Sequence, residues 1–240
     1  MPLLVKICGL STRETLDVAL ESGADMVGFV FFPPSPRHIS LETARELGKQ
    51  AKGRAVKVAL TVDADDATIE NIIETLRPDI LQLHGKETTA RLRDLKQKFG
   101  LPLMKALPVE TAADLAPLPG YAGVADSILF DARAPKDATR PGGLGAPFDW
   151  HVLENLDLAL PYMVSGGLNA ENVAEAVRVT RAGGVDVVPI AVEEWRTRLI
   201  LARAEAPDLP PAEQIRAQIA ETRERGWSVD PGRGLEGIWG

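Results

Sequence analysis

"AVKVALTVDADDATIENIIETLRPDILQL", residues 55–83, reads as strand, helix, strand. "AVKVAL" (55–60) and "DILQL" (79–83) are short runs that are apolar almost throughout, as strands buried on both faces must be. Between them Ile69, Ile72, Ile73 and Leu76 recur at three- and four-residue spacing, which gathers them on one face of a helix. Pro78 stops that helix, because proline pushes the residue before it out of helical geometry. Two all-apolar strands joined by an amphipathic crossover are the repeating unit of a parallel sheet covered by helices.

The unit recurs in both directions. Upstream, "LLVKI" (3–7) is a strand, and "STRETLDVALESG" (11–23) is a helix with Ser11 and Glu14 in capping-box spacing, Leu16, Ala19 and Leu20 on one face, and Gly23 as its stop. "MVGFVF" (26–31) follows, and after a proline-rich loop Ser40 caps a helix burying Ala44, Leu47 and Ala51. Downstream, "DILQL" leads to a helix with Leu92, Leu95 and Phe99, and "LPLMKAL" (101–107) to a weak one near Thr111 to Leu115. "SILFD" (127–131) precedes a glycine-rich loop and a helix from Phe148 to Leu156. "PYMVSGG" (161–167) precedes a helix capped by Asn169 that turns Val173, Ala176 and Val177 inward, and "GGVDVV" (183–188) is the eighth strand. Eight units in about 190 residues predict an α/β fold of one (β/α)8 TIM barrel, with an open doubly wound sheet as the alternative. The barrel is expected over residues 1–187, and 188–240 read as an atypical C-terminal segment, a last helix plus a disordered tail.

A formal net charge of −7 excludes a nucleic-acid or anionic-membrane partner as the expectation, because phosphate backbones require a basic face. The first residues, "MPLLVKICGL", are too short an apolar run to span a bilayer and lack the marks of a signal peptide. The lone cysteine cannot form an internal disulfide, which agrees with a cytoplasmic location. His38, His84 and His151 have no metal-like spacing.

In such a barrel chemistry sits at the C-terminal strand ends. Reading them in order gives Cys8, the segment Phe32 to Arg37, Thr61 to Asp63, His84, Lys105, Asp131, "SGG" (165–167) and Asp186. Cys8 reads either as a small buried hydrophobe or, at a strand mouth, as a nucleophile or base. No residue accompanies His84 in a motif that would make it the partner of a hydrolytic cysteine. "SILF" delivers the carboxyl group of Asp131 to the mouth, a candidate general acid whose bland reading is a pair with Arg133. Asp186 lies among valines, where a carboxylate has either a structural partner or a catalytic task. Ser165, Gly166 and Gly167, between the seventh strand and its helix, suit a phosphate, since barrel phosphate sites use the loops after strands seven and eight. Arg37, in "PPSPR", carries a planar fork for a carboxylate, or is a solvated loop arginine.

Taken together, "KICGLS", "GADMVGFVFFPPSPRHIS", "LQLHG", "LFDARAP", "RPGGLGAPFDW" and "VSGGLNAENVAEAV" resemble, in order and spacing, the motifs of the phosphoribosylanthranilate isomerase family of tryptophan biosynthesis. The resemblance covers about Leu3 to Val187. It implies an Amadori rearrangement of N-(5-phosphoribosyl)anthranilate, an aldose-to-ketose isomerisation with no metal or cofactor, in a monomer or homodimer. It also implies that Cys8 is the general base and Asp131 the general acid, that Arg37 holds the anthranilate carboxylate, and that Asp186 contacts the substrate near its amine.

The chain departs from the family after "GVDV". The family continues with a Ser-Ser-Gly-Val-Glu stretch that completes the phosphate site, whereas Val188, Pro189 and Ile190 offer fewer donors there, and Pro189 has no amide hydrogen. Two readings of the tail stand: a natural extension in which "PPAEQIRAQIAETRERG" supplies the last helix, or a reading-frame change near residue 187. An impaired barrel of the same family and another phosphosugar barrel enzyme are the alternative functions.

Overall fold

A computed structural model describes residues 3–134, 138, 147–169 and 171–188. Eight strands close into a barrel in chain order: β1 Leu4–Cys8, β2 Met26–Phe31, β3 Val56–Thr61, β4 Ile80–Leu83, β5 Leu103–Val109, β6 Ser127–Ala132, β7 Tyr162–Val164 and β8 Gly184–Val187. All pairings are parallel, and β8 returns to β1 with Lys6 opposite Asp186. The single barrel is therefore the architecture, and the open sheet is excluded.

Side chains alternate across each strand, and the two faces bury different residues. Leu4, Met26, Val56, Val58, Ile80, Met104, Ala106, Leu129 and Met163 pack among themselves inside the barrel. The other face, with Val5, Val27, Phe29, Ala59, Leu81, Phe130 and Val185, packs against the helices. The helices are α1 Arg13–Glu21, α2 Leu41–Ala51, α3 Asp66–Leu76, α4 Thr89–Phe99, α5 Leu118–Tyr121 and α6 Val173–Thr180. Ser40 caps α2 as expected, and α3 ends at Leu76 with Arg77 in the left-handed region one residue before Pro78.

Several local expectations shift. The box of α1 is built one residue later: Thr12 Oγ1 accepts from the Thr15 amide at 3.2 Å while Thr15 Oγ1 accepts from the Thr12 amide at 3.3 Å, so Thr12 and not Ser11 is the cap. The helix expected from Phe148 to Leu156 is a single 3-10 turn, Trp150–Leu153, anchored by Asp149. A stretch that short gains too little from propagation to extend without a longer packed face. Asn169 does not cap α6 directly; its Oδ1 accepts from the Glu171 and Asn172 amides in a turn that precedes the helix, and Asn172 is the cap residue. Of the loop "RPGGLG" (140–145) and the tail beyond 188, all lies outside the described residues.

Candidate active site

Alternation selects what reaches the mouth of the barrel. On β1, Lys6 and Cys8 continue the inward row begun by Leu4; on β4, Gln82 and His84 continue the row of Ile80; on β6, Asp131 follows Leu129. Cys8, Arg37, Gln82, His84, Asp131, Ser165 and Asp186 line one cavity that opens at the barrel mouth. Val30, Phe32, Leu60, Val62 and Val188 supply its apolar wall. Lys105 does not join them. Met104 and Ala106 take the inward positions of β5, and Lys105 turns outward, donating to Gly85 O at 2.7 Å and to Glu87 Oε2 at 2.8 Å in a buried pair that fastens the loop after β4.

Cys8 is held in place by what is missing opposite it. Gly28 is its register partner on β2, and a Cβ there would lie 2.7 Å from Cys8 Sγ. The chain then turns at Gly9, whose φ of +85° only glycine adopts without strain, and the Arg37 side chain lies over it where a Cβ would stand. Burial pushes the Cys8 thiol up to about 11, against the cationic influence of Lys6 and Arg37, which favours the thiolate.

Asp131 is 3% exposed. Its Oδ1 accepts from the Ala132 amide at 2.9 Å, and its Oδ2 is 3.2 Å from His84 Nε2. Gln82 Nε2 approaches His84 Nδ1 at 3.3 Å. The imidazole tautomer decides which of its two nitrogens donates and which accepts, so Nε2 can either give a hydrogen bond to the Asp131 carboxyl group or take one from it. Asp131 therefore pairs with His84, forty-seven positions earlier, and not with Arg133, which pairs with Asp114 and Glu110. Sequence reasoning left His84 and Gln82 without a role. Their signal was parity: two polar residues two positions apart in an apolar strand share its inward face.

Asp186 meets Lys6 at 2.6 Å, both side chains almost fully buried, while Asp186 Oδ1 has no hydrogen-bond partner. Burial raises the Asp186 carboxyl above its ordinary value although the Lys6 ammonium opposes this. At Lys6 burial works against the ammonium, but the charges of Asp186 and Cys8 outweigh it and hold the amine above the usual lysine value. After the neighbouring strand, β7, Gly166 and Gly167 have φ of +86° and +61°, and a Cβ on Gly166 would come 2.6 Å from Ala132 N, so this turn seats directly on the end of β6. The Asn172 amide group fixes it by donating to Gly167 O at 2.9 Å. Of the residues that depart from the family pattern, Val188 lines the cavity, and 189 and 190 lie outside the described residues.

Comparison with known proteins agrees with this geometry. The family described as N-(5'phosphoribosyl)anthranilate (PRA) isomerase matches residues 5–194. The N-(5'-phosphoribosyl)anthranilate isomerase of Bradyrhizobium diazoefficiens is 80% identical over 187 residues, 78% of this chain and 84% of that protein. Its counterpart in Nitrobacter hamburgensis is 73% identical over 187 residues, 78% of this chain and 83% of its own. The crystal structure of phosphoribosyl anthranilate isomerase from Thermotoga maritima superposes with a TM-score of 0.75 at 30% identity, over 84% of this chain and 99% of that one. A phosphoribosyl anthranilate isomerase in complex with reduced 1-(o-carboxyphenylamino)-1-deoxyribulose 5-phosphate superposes with a TM-score of 0.70 at 28% identity, over 84% of this chain and 99% of that one. With the family's motifs spread around one closed barrel and a match spanning most of its length, this chain belongs to the N-(5'-phosphoribosyl)anthranilate isomerase family.

Proposed function

We infer that the cavity carries out the reaction of its family, with Cys8 as proton acceptor and Asp131 as proton donor. The protein is an isomerase of tryptophan biosynthesis that converts N-(5'-phosphoribosyl)anthranilate to 1-(2-carboxyphenylamino)-1-deoxyribulose 5-phosphate. The observation that carries the assignment of roles is the convergence of a thiol, a carboxyl group and a guanidinium on one apolar-walled cavity.

The active form holds one proton on Asp131 and none on Cys8. Asp131 gives its proton to the furanose ring oxygen, the bond from that oxygen to C1 breaks, and the nitrogen lone pair forms the C1=N bond of a protonated Schiff base. The electron pair of the C2–H bond then neutralises that cation as Cys8 takes the proton, leaving an enolamine that tautomerises to the aminoketone. Substrate has gained a proton at oxygen and lost one at carbon, so the enzyme resets when a proton passes from Cys8 to Asp131 through solvent. Each transfer to a positioned group is worth roughly 10²–10⁴-fold. Arg37 binds the anthranilate carboxylate, and the unpartnered Oδ1 of Asp186 is an acceptor for the substrate amine N–H.

Ser165, Gly166 and Gly167 hold the phosphate. Residues 1–187 form the catalytic barrel and 188–240 a segment outside the family pattern; an intact family terminus in a neighbouring frame of the coding DNA supports a frame change, and its absence removes that reading. The substrate is a small phosphosugar, and the protein works in the cytoplasm as a monomer or homodimer. Loss of anthranilate fluorescence in freshly prepared substrate tests the activity. Purified protein is expected to accelerate its conversion, with Cys8→Ala and Asp131→Asn each losing most turnover while circular dichroism stays unchanged. Substrate that decays only at its spontaneous rate, or near-parental rates in either variant, overturns the reading.

A further inference from the structure

Among the described residues, Lys6 is the fully buried cation of the barrel mouth that the reaction does not call on. An inward lysine on an all-apolar strand loses its hydration, and it persists as an ammonium only where a counter-charge meets it. Asp186 is that counter-charge, placed by the register of β1 on β8 and reached at 2.6 Å. Only one carboxylate oxygen is used, since Oδ1 is buried without a hydrogen-bond partner in a residue that lines the cavity. Two residues along the same inward row stands Cys8, immobilised against Gly28. Lys6 thus has Asp186 opposite it across the β1–β8 register and Cys8 two positions further along its own strand, on the same face.

We propose that Lys6 is a positioning residue that serves as the built-in counter-cation of the Cys8 thiolate, and that Asp186 sets its strength by drawing on the same ammonium. The proposal deepens the reading of Cys8 as base. The charged groups that bear on Cys8 are Lys6 and Arg37, which favour its ionised form, and Asp186, which opposes it; Asp131 and His84 act on Asp186 from β6 and β4. Without Lys6, the thiolate would face a bare carboxylate across a dry barrel interior, where like charges repel strongly. With it, the pair Lys6 and Asp186 is neutral as a unit, and Cys8 ionises beside a neutral pair.

The chain's single cysteine makes this measurable without substrate. Alkylation of native protein by iodoacetamide, followed by intact-mass spectrometry between pH 7 and 10, reports Cys8 alone. Below the thiol's pKa the rate follows the thiolate fraction, so a shift of one unit changes it by up to about tenfold, partly offset by nucleophilicity. Asp186→Asn is expected to speed alkylation, Lys6→Met to slow it by about tenfold at pH 8, and the double variant to fall between them. If Lys6→Met does not fold because Asp186 is left bare, the comparison of Asp186→Asn with Asp186→Asn/Lys6→Met still tests Lys6, and the double variant must be the slower. Equal rates in that pair, or single variants that move in the same direction, overturn the proposal. An inactive but normally alkylated parent protein would count against the catalytic role of Cys8 and leave the charge relation standing.

Discussion

Gly28→Ala tests the site without touching a charged group. The new methyl carbon would stand 2.7 Å from Cys8 Sγ, 3.1 Å from its Cα and 3.2 Å from its Cβ. Comfortable contact between such atoms begins at about 3.5–4.0 Å, so the sulfur must retreat by about 1 Å. The backbones cannot separate cheaply, because the Gly9 and Leu10 amides both donate to Gly28 O, at 2.9 and 3.2 Å. Overpacking of this kind costs about 1–3 kcal/mol of stability, and for a protein of this size each kcal/mol lowers Tm by about 2–4 °C. The larger effect falls on activity. A displacement of about 1 Å at a reacting group costs about 10²-fold, equivalent to about 2.7 kcal/mol of transition-state stabilisation. Fluorescence-detected kcat/KM and calorimetric Tm measure the two losses separately. The Cys8→Ala background removes Sγ, so Gly28→Ala should destabilise less there than in the parent. Parental kcat/KM in Gly28→Ala, or strictly additive stability losses in the double variant, would refute the packing argument.

Two further perturbations read the buried charges. The Cys8 thiol is raised from 9.0 to about 11 in the folded protein, so the fold binds its proton more tightly than the unfolded chain does; its contribution is complete below pH 9 and is lost as the pH climbs through about 11. Denaturant titrations of parent and Cys8→Ala from pH 8 to 11 should therefore converge by about 2–3 kcal/mol, and parallel curves would contradict the burial of the thiol. At Lys105, Glu87→Ala leaves a buried ammonium without its carboxylate and should cost about 3–5 kcal/mol, whereas replacing both partners with methionine should cost much less; urea midpoints distinguish the two outcomes.

The alternation of apolar runs with amphipathic helices fixed the number of strands and their parallel order, because burial on both faces writes a continuous apolar signal into each strand. The runs ending in Cys8, Asp131 and Ser165 also located the mouth, since chemistry in a barrel collects where strands end. Which side chain at an end faces the cavity was less visible. Lys105 lies within one apolar run and Asp131 closes another, yet the first turns out to Glu87 and the second in to His84. The difference is one position of register, and register is set only when the eighth strand meets the first and every neighbour's pleat is fixed. The same closure sets Lys6 against Asp186, 180 positions apart, and leaves room for a sulfur at Gly28. Residue types and periodicity thus determined the elements and the candidates among them, while the pairing of charges and the space around the thiol exist only once the ring is closed.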